Sequence, residues 1–356
     1  MLPTQFCAGR EIARFASVSA LNAGMSPAVS LIPFKPTEFE SRRPFRGGHL
    51  QTLAGFFLQR PIRLPAPEER FVEVAPGIKV LCHCHWQPER KGALTILVVH
   101  GLEGSSDSGY VVGIAEKALA VGMNVVRINQ RNCGGTDALA PTLYNSSLSG
   151  DVAAVANHVI TQDQIERFAL IGFSMGGNLV LKTAGEWGTS APKEFRAVAA
   201  VCPAMDLAVS ADALHLPGNR IYEEYFMLKL RARFRAKAKL FPKNFDAGRL
   251  QGVRTLRQFD DRVTAYYCGF TGAVDYYARA SAANTVERIA VPGLILHAAN
   301  DPFVKITPES RARIARNPNL LFVETADGGH CSFLAAPNGY DGRWAERQVV
   351  EFLRSF

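Results

Sequence analysis

The stretch Leu170-Ile171-Gly172-Phe173-Ser174-Met175-Gly176-Gly177-Asn178 has the pattern of a buried strand that turns sharply into a helix. An apolar run of strand length precedes Gly172, and apolar residues recur at helical spacing after Gly176. Between them stands Gly-x-Ser-x-Gly, a pattern in which two glycines make room for a strained turn that exposes the serine hydroxyl. The free N–H groups at the start of the helix favour developing negative charge. The stretch therefore predicts that Ser174 is a nucleophile.

Strands and helices alternate on both sides of this turn. A hairpin is predicted at 69–75 and 79–86, further strands at 93–100, 124–129, 197–202, 293–298 and 320–325, and helices at 109–120, about 149–162, about 307–316 and 341–355. Continuous apolar runs such as 93–100 suit strands that are buried on both faces. The alternation predicts an α/β fold with a mostly parallel central sheet and helices on both faces.

The alternation also indicates how the chain is divided. Residues 31–356 suit a single large α/β domain, preceded by a poorly ordered leader at 1–30. Residues 31–62, rich in Pro, Arg and Phe, are expected to form an arm packed on that domain. Residues 206–285 interrupt the alternation with a helical, aromatic and basic segment. An insertion there would lie over the carboxyl edge of the sheet and form a lid.

Charge, apolar runs and cysteine content limit the partners and the location that the protein can have. The net charge of +8 is modest and accompanies no nucleic-acid motif, so no nucleic-acid partner is predicted. No apolar run reaches the roughly 18 residues of a membrane span. The seven scattered cysteines predict reduced thiols and a cytoplasmic location. Six basic residues lie between Lys229 and Lys239. They indicate either a solvated lid helix or peripheral contact with an anionic membrane or lipid headgroup.

The run Cys82-His83-Cys84-His85 resembles a metal-binding motif. Alternation along a strand would place the two cysteines on one face and the two histidines on the other, whereas a tetrahedral zinc site needs convergent ligands. No second ligand pair follows nearby in the sequence. We therefore predict no metal and no other cofactor.

A serine nucleophile needs a base, and the base needs an acid that orients it. When this turn is catalytic, the acid and then the histidine follow the serine along the chain. Of the three histidines after Ser174, His215 lies in the expected lid and His297 lies inside a strand. His330 follows the strand at 320–325 in a flexible Asp-Gly-Gly loop. His330 is therefore the predicted base.

Three aspartates compete for the role of the orienting acid. Asp301 follows the strand at 293–298, at a carboxyl end where catalytic residues gather, and is the predicted acid. Asp206, after an earlier strand, is the weaker alternative. Asp327 lies only three residues before His330, and turn formation accounts for it.

Two backbone amides are expected to bind the oxyanion. One is the amide of Met175, directly after the serine, and the other is that of Leu102, in the loop after the strand at 93–100. His100 precedes this loop, so it is expected to shape the loop and not to act as the base.

Several motifs occur in order along the chain and together resemble one family. They are His49-Leu50-Gln51-Thr52, His100-Gly101-Leu102-Glu103-Gly104-Ser105-Ser106, Arg131-Asn132-Cys133-Gly134-Gly135, the serine turn, the lid segment from Phe259-Asp260 to Asp275-Tyr276-Tyr277, and Gly328-Gly329-His330. This set resembles the YheT-like branch of the α/β-hydrolases over about residues 35–356. The leader has no counterpart there, and Asn132 stands where the branch is expected to have glycine.

The resemblance implies an α/β-hydrolase fold with a helical lid, carboxylic-ester hydrolase or acylglycerol lipase activity, and a triad of Ser174, Asp301 and His330. We expect an esterase that forms an acyl-enzyme and acts on medium- or long-chain acyl esters, with no cofactor. A thioesterase or an acyltransferase would use the same triad. A non-catalytic lipid-binding or interaction protein on a hydrolase scaffold is the alternative from another class. The oligomeric state stays open.

Overall fold

The computed structural model describes residues 32–58, 60–61 and 63–356, so the expected leader lies outside the described residues. Its centre is an eight-stranded sheet in the order β1-β2-β4-β3-β5-β6-β7-β8. The hairpin strands pair antiparallel with each other, β2 pairs antiparallel with β4, and all other pairs are parallel. The strands are β1 (Glu68–Ala75), β2 (Ile78–His85), β3 (Thr95–Val99), β4 (Asn124–Ile128), β5 (Phe168–Phe173), β6 (Phe195–Val201), β7 (Gly293–Ala298) and β8 (Leu320–Thr325).

Helices cover both faces of this sheet, which confirms the predicted fold class. Along β5, Phe168 and Leu170 face one apolar core, while Ile171 and Phe173 face the other. Apolar side chains of α3, α4 and α10 fill the first core, and those of α2 and α11 fill the second. The helices are α1 (Gly48–Phe57), α2 (Gly109–Ala120), α3 (Ser149–Asp163), α4 (Met175–Trp187), α5 (Leu207–Leu214), α6 (Arg220–Leu240), α7 (Leu256–Phe259), α8 (Tyr266–Cys268), α9 (Ala273–Ala280), α10 (Pro308–Arg316) and α11 (Trp344–Leu353).

Short helical turns complete the regular structure. A π-helical segment spans Asp260–Ala265, and 3-10 turns lie at Asp137–Leu139, Gly188–Ser190, Pro217–Asn219, Ala247–Leu250, Ala282–Asn284 and Val286–Arg288. Among the described residues, no helix has both the length and the apolar character needed to cross a bilayer. The cysteines in this part of the chain all carry free thiols, as predicted.

The N-terminal arm contains a helix, α1, that the sequence patterns did not indicate. Its anchor is Gln51, which is fully buried. The amide of Leu334 donates to Gln51 Oε1 at 2.7 Å, and Gln51 Nε2 donates to the Leu334 carbonyl at 3.1 Å. A polar side chain satisfied in this way can be buried at little cost. The contact fixes α1 against the segment that follows β8.

The segment between β6 and β7 folds into α5 to α9 around two small apolar clusters, one of which also includes Phe303 and Val304 after β7. Its long helix α6 carries the six basic residues. The solvated-helix interpretation is wrong for two of them. Lys237 is fully buried and Arg233 is mostly buried. Both point inward, where Arg233 binds the loop after β3 and Lys237 binds the loop after β4. Arg235 and Lys239 do face solvent.

Strand β2 has the alternation expected of Cys82-His83-Cys84-His85. The two cysteines lie in the apolar core. On the other face, His83 lies 3.0 Å from Ser106 Oγ, and His85 lies 3.2 Å from an Arg127 nitrogen. The four side chains do not converge on one point.

Candidate active site

Ser174 occupies the sharp turn between β5 and α4. Its φ of 54° and ψ of −119° are costly for a residue with a side chain, by roughly 1–3 kcal/mol. The flanking glycines are required by close approach. A Cβ on Gly172 would lie 2.2 Å from the Gly176 carbonyl oxygen, and a Cβ on Gly176 would lie 2.2 Å from the Val99 carbonyl oxygen. The amide of Ser174 donates to the Val201 carbonyl at 2.9 Å, which anchors the turn to β6.

Ser174, His330 and Asp301 form one hydrogen-bonded chain. His330 Nε2 lies 2.9 Å from Ser174 Oγ, and His330 Nδ1 lies 2.7 Å from Asp301 Oδ2. When Nδ1–H donates to the carboxylate, Nε2 is free to accept the serine proton. The tertiary structure therefore brings together the three side chains chosen from the sequence.

The loop after β7 holds Asp301 in place. Its side chain is fully buried, and its Oδ1 accepts from the amides of Phe303 at 3.1 Å and Val304 at 2.9 Å. Burial alone would raise the pKa of Asp301, but the neighbouring His330 and these hydrogen bonds lower it below its usual value. Asp301 is therefore an anion at neutral pH.

Burial and a neighbouring carboxylate act in opposite directions on the imidazole of His330. Burial lowers its pKa, but the Asp301 carboxylate outweighs this effect and holds the pKa well above 6.5. The ring of Phe303 lies 4.4 Å from the imidazole, centre to centre, and covers it. The amide of His330 donates to Thr52 Oγ1 at 2.9 Å. Thr52 is a positioning residue that the sequence analysis did not assign, although it belongs to the quoted His49–Thr52 motif.

The other candidate acids lie elsewhere. Asp206 accepts from the amide of Thr307 at 3.0 Å and from Ser310 Oγ at 2.7 Å, so it joins the start of α5 to α10. Asp327 accepts from Ser41 Oγ at 2.5 Å and from the amide of Gly47 at 3.0 Å. Turn formation therefore accounts for only part of its role, because Asp327 also ties the N-terminal arm to the histidine loop.

The other histidines also have separate surroundings. His215 is exposed, and its Nδ1 lies 2.8 Å from Glu223. His297 is buried at the end of β7, and burial lowers its pKa to about 4. His100 is fully buried. Its Nδ1–H donates to the Gly101 carbonyl at 2.8 Å and its Nε2 accepts from the Gln130 amide at 3.2 Å, so it shapes the loop as expected.

The loop after β3 approaches the serine closely. A Cβ on Gly101 would lie 3.0 Å from Ser174 Cβ, and the Gly101 amide donates to the Tyr110 hydroxyl at 3.0 Å. The next amide, that of Leu102, has no hydrogen-bond acceptor among the residues that the structure describes. The same is true of the Met175 amide in the first turn of α4. Both amides are therefore available to a ligand beside Ser174.

Helix α6 is joined to this loop by a buried ion pair. Glu103, with a φ of 56°, accepts from Arg233 Nε at 3.0 Å and from the Tyr144 hydroxyl at 2.6 Å. One turn later, Lys237 donates to Asn132 Oδ1 and to the Ala140 carbonyl. Burial lowers the pKa of Lys237 to about 8. The sequence did not reveal the contacts of Arg233 and Lys237, because each joins residues about 100 or more positions apart.

A mostly apolar cavity opens beside Ser174. It holds about 960 Å³ of space between atoms, part of it open to solvent. Its walls come from the serine turn, the loops after β3, β4 and β7, and the segment between β6 and β7. Apolar and aromatic lining residues include Leu102, Leu143, Met175, Leu207, Leu214, Phe226, Leu230, Phe234, Phe259, Tyr276 and Phe303.

Comparison with known proteins agrees with this architecture. The sequence model of the alpha/beta hydrolase fold matches residues 95–337. The chain belongs to the alpha/beta hydrolase fold family. It is 29% identical over 332 residues to YheT of Escherichia coli, which is named as an assumed esterase, and this match covers 90% of the chain and 94% of YheT. The predicted resemblance to YheT-like α/β-hydrolases is therefore confirmed.

Other relatives have lipase names. The chain is 29% identical over 263 residues to mouse phospholipase ABHD3, covering 74% of the chain and 62% of ABHD3. It is 28% identical over 269 residues to the monoacylglycerol lipase of Saccharomyces cerevisiae, covering 73% of the chain and 59% of that protein. The chain thus spans less than two thirds of these two relatives. YheT and these two relatives thus have esterase or lipase names, and this hydrolase is similar to them.

Solved structures show the same fold. The esterase of Pyrobaculum calidifontis aligns with a TM-score of 0.54 at 19% identity, covering 83% of this chain and 86% of its own. The Pyrococcus furiosus esterase Pf2001 aligns with a TM-score of 0.52 at 17% identity, covering 82% and 92%. At such low identity, the likeness concerns the fold alone.

Proposed function

We propose that this hydrolase cleaves carboxylic esters by a serine mechanism in which Ser174 is the nucleophile, His330 the base and Asp301 the orienting acid. The hydrogen-bonded chain of these three side chains carries the proposal, because its distances are those required for proton transfer. The serine also lines a mostly apolar cavity. The chemistry needs neither a metal nor an organic cofactor.

In the first half of the reaction, Ser174 Oγ attacks the ester carbonyl carbon and its proton passes to His330 Nε2. The amides of Leu102 and Met175 donate to the oxyanion, and loss of one such donor typically costs about 3–4 kcal/mol. His330 then protonates the leaving alcohol, which departs and leaves an acyl-enzyme. In the second half, His330 removes a proton from water, which attacks the acyl carbonyl. The acid leaves, and the serine regains its proton.

The apolar cavity supports a preference for medium- or long-chain acyl groups. Aromatic and aliphatic side chains from α5, α6 and α9 face the space beside Ser174. Each methylene that leaves water contributes about 0.8 kcal/mol of binding free energy, so a longer chain gains affinity until the cavity is filled. We propose that α5 to α9 act as the lid over this chain.

An exposed apolar face formed by α1 and α6 supports peripheral contact with a lipid surface. Phe56 and Phe57 at the end of α1 are 64% and 70% exposed, and Ile221 and Leu228 on α6 are 61% and 68% exposed. The Phe56 ring lies 5.6 Å from the ring of Tyr225, so the two helices present one continuous apolar face. Such a face suits the boundary between lipid headgroups and acyl chains.

Basic side chains accompany this apolar face. Arg42, Arg43 and Arg46 are exposed just before α1, and Lys229 Nζ lies 4.7 Å from the ring of Tyr225. We expect the protein to sediment with anionic phospholipid vesicles more than with neutral ones. Phe57→Ser together with Leu228→Ser should weaken this binding, whereas Phe71→Ser, at a 52% exposed position on β1, should not. Equal binding of both variants would exclude this face.

The decisive test is hydrolysis of a p-nitrophenyl ester series from two to sixteen carbons. We expect Ser174→Ala to lose activity by about 10⁴-fold or more, whereas Ser190→Ala, an exposed serine after α4, serves as the matched control. An optimum at medium or long chains would support the acyl cavity, and an optimum at two carbons would contradict it. Labelling of Ser174 by a fluorophosphonate, without turnover of esters, would point to a thioester substrate or an alcohol acceptor. No labelling would favour a non-catalytic lipid-binding scaffold.

A further inference from the structure

Two thiols lie beside His330 and have no role in ester cleavage. Cys202 directly follows β6 and is fully buried, and Cys331 directly follows His330 with a φ of 58°. Sulfur atoms of both cysteines and a ring nitrogen of His330 lie within 4.8 Å of one another. Cys331 Sγ is 3.8 Å from His330 Nε2, the atom that faces Ser174. The amide of Cys331 donates to Cys202 Sγ at 3.3 Å, which keeps the two residues adjacent.

One of these separations is close to that between ligands of a tetrahedral metal ion, and the others lie within 4.8 Å. With Zn–S of about 2.3 Å and Zn–N of about 2.05 Å, tetrahedral angles place sulfur and nitrogen about 3.6 Å apart. The observed 3.8 Å between Cys331 Sγ and His330 Nε2 is close to this value. Two thiolates and one imidazole are also the ligand types that Zn²⁺ favours. Ser174 Oγ, 2.9 Å from Nε2, and water are both suitable as the fourth ligand.

We propose that Cys202, His330 and Cys331 form an inhibitory binding site for a thiophilic divalent cation, with Zn²⁺ as the principal case. The inhibitory consequence rests on the proposed function of His330 as the base, but the binding itself does not. On binding, each thiol releases its proton to solvent and each sulfur donates an electron pair to the ion. No oxidation is involved. The ion takes the lone pair of Nε2 that would otherwise accept the proton of Ser174.

The arrangement that suits His330 to catalysis also suits it to metal binding. Asp301 accepts from Nδ1–H at 2.7 Å, which selects the tautomer with its lone pair on Nε2. A carboxylate behind a histidine ligand is the usual support of a zinc site. The ion is an inhibitor here and not a cofactor, so the proposal is compatible with metal-free ester cleavage. The cavity reaches Ser174, whose Oγ lies 2.9 Å from Nε2.

A second ligand set shares Cys202. It consists of Cys202, His297 and Asp301, whose ligand atoms also lie within 4.8 Å of one another. His297 Nδ1 is buried and has no hydrogen-bond partner among the described residues. This set is less suitable because it would draw Asp301 away from His330 and because its members are fully or nearly fully buried. The experiment must therefore distinguish the two sets.

Binding can be measured without enzyme activity, with Co²⁺ as a spectroscopic substitute for Zn²⁺ in the Ser174→Ala protein. We expect one equivalent of Co²⁺ to produce thiolate-to-cobalt charge-transfer absorption, and excess Zn²⁺ to abolish it. Adding Cys331→Ser or Cys202→Ser should remove the band, whereas adding Cys268→Ser, a half-buried thiol in α8, should leave it. A band that survives Cys331→Ser would overturn the proposal. Loss with His297→Asn but not with Cys331→Ser would assign the ion to the second set.

Inhibition is then measured on enzymes with Ser174 intact, each normalised to its own metal-free rate. The Zn²⁺ concentration for half inhibition should rise on the order of tenfold or more in Cys331→Ser, and further when Cys202→Ser is added. Cys268→Ser should follow the wild type. Equal inhibition of all variants would refute the inhibitory site. If the protein proves not to hydrolyse esters, the cobalt band still decides whether the metal site exists.

Discussion

The serine turn and helix α6 both line the cavity, but different interactions determine their structures. The turn depends on neighbours in sequence, because the carbonyl of Gly176 lies where a Cβ on Gly172 would be. Helix α6 depends on distant partners, since Arg233 binds Glu103, 130 positions earlier in the chain. One region is thus specified by backbone sterics, within a few residues at Gly172 and against the neighbouring strand at Gly176. The other is specified by buried charges that find partners only after the sheet has formed.

The difference between these two regions shows where a residue's type alone predicts its structural role. A glycine beside a strained serine has few alternative explanations, because no other residue fits the space. A basic residue on a helix has many possible explanations, because solvent, lipid and a buried carboxylate all stabilise a positive charge. Arg233 and Arg235 are identical in type and two positions apart, yet one is paired inside and the other is exposed.

The largest expected effect concerns Asp301, which the fold supplies to the serine turn from a distant loop. Asp301→Asn should reduce kcat by about 10⁴-fold, because the amide no longer holds the required tautomer of His330. In the wild type, the pKa of His330 lies well above 6.5, so activity should rise with pH through that raised pKa as the imidazole loses its proton. In Asp301→Asn the burial remains and the carboxylate is gone, so the inflection should move to lower pH. An unchanged inflection in the kcat profile would mean that another group titrates.

The next effect tests the local character of the turn itself. Gly172→Ala should lower the free energy of unfolding by about 3 kcal/mol, because the added Cβ would lie 2.2 Å from the Gly176 carbonyl oxygen. Gly150→Ala is the matched control, since a Cβ there meets nothing within 4 Å near the start of α3. The control should stabilise the protein by about 0.4–1 kcal/mol. Urea unfolding of both variants checks the pair, and equal stabilities would contradict the steric explanation.

A smaller effect tests the long-range character of α6. Arg233→Met should lower kcat/KM by about tenfold, because Glu103 would lose its partner and the adjacent Leu102 amide would be less firmly held. Arg235→Met removes an exposed charge from the same helix and should leave the rate within about twofold. The two variants are compared on one ester. If both behave alike, the Glu103–Arg233 pair does not position the oxyanion loop.

The smallest effect concerns Asn132, which departs from the glycine expected in YheT-like proteins. Its φ of 66° favours glycine, but its side chain accepts from Lys237 and donates to the Thr142 carbonyl at 2.7 Å. Asn132→Gly should therefore relieve the unfavourable backbone conformation but lose two hydrogen bonds. We expect a net loss of about 1 kcal/mol in the free energy of unfolding. Thermal unfolding measures the difference. A stabilised variant would show that backbone conformation outweighs the contacts to α6.

Much of the fold could be predicted because its signals are local and repeated. Buried parallel strands require continuous apolar runs, so their positions were right, although the strand at 93–100 is one to two residues shorter at each end, as Thr95–Val99. Helix α1 was missed because its sequence carries little charge contrast and its anchor, Gln51, is buried by partners near residue 334. The resemblance to YheT-like proteins also implied Ser174, Asp301 and His330 as the triad. In the fold, the distances between these three side chains suit proton transfer.

The residue order alone determined the α/β sheet, the serine turn and the choice of His330 and Asp301, because strand burial, glycine sterics and chain order each leave a mark within a short window. Only the tertiary structure decided that Thr52 and Asp327 hold the histidine loop, that Arg233 and Lys237 turn inward, and that Cys202 meets Cys331. Those contacts join residues far apart in the chain. A side chain's partner across such a distance depends on how the sheet orders its strands, and no local pattern records it.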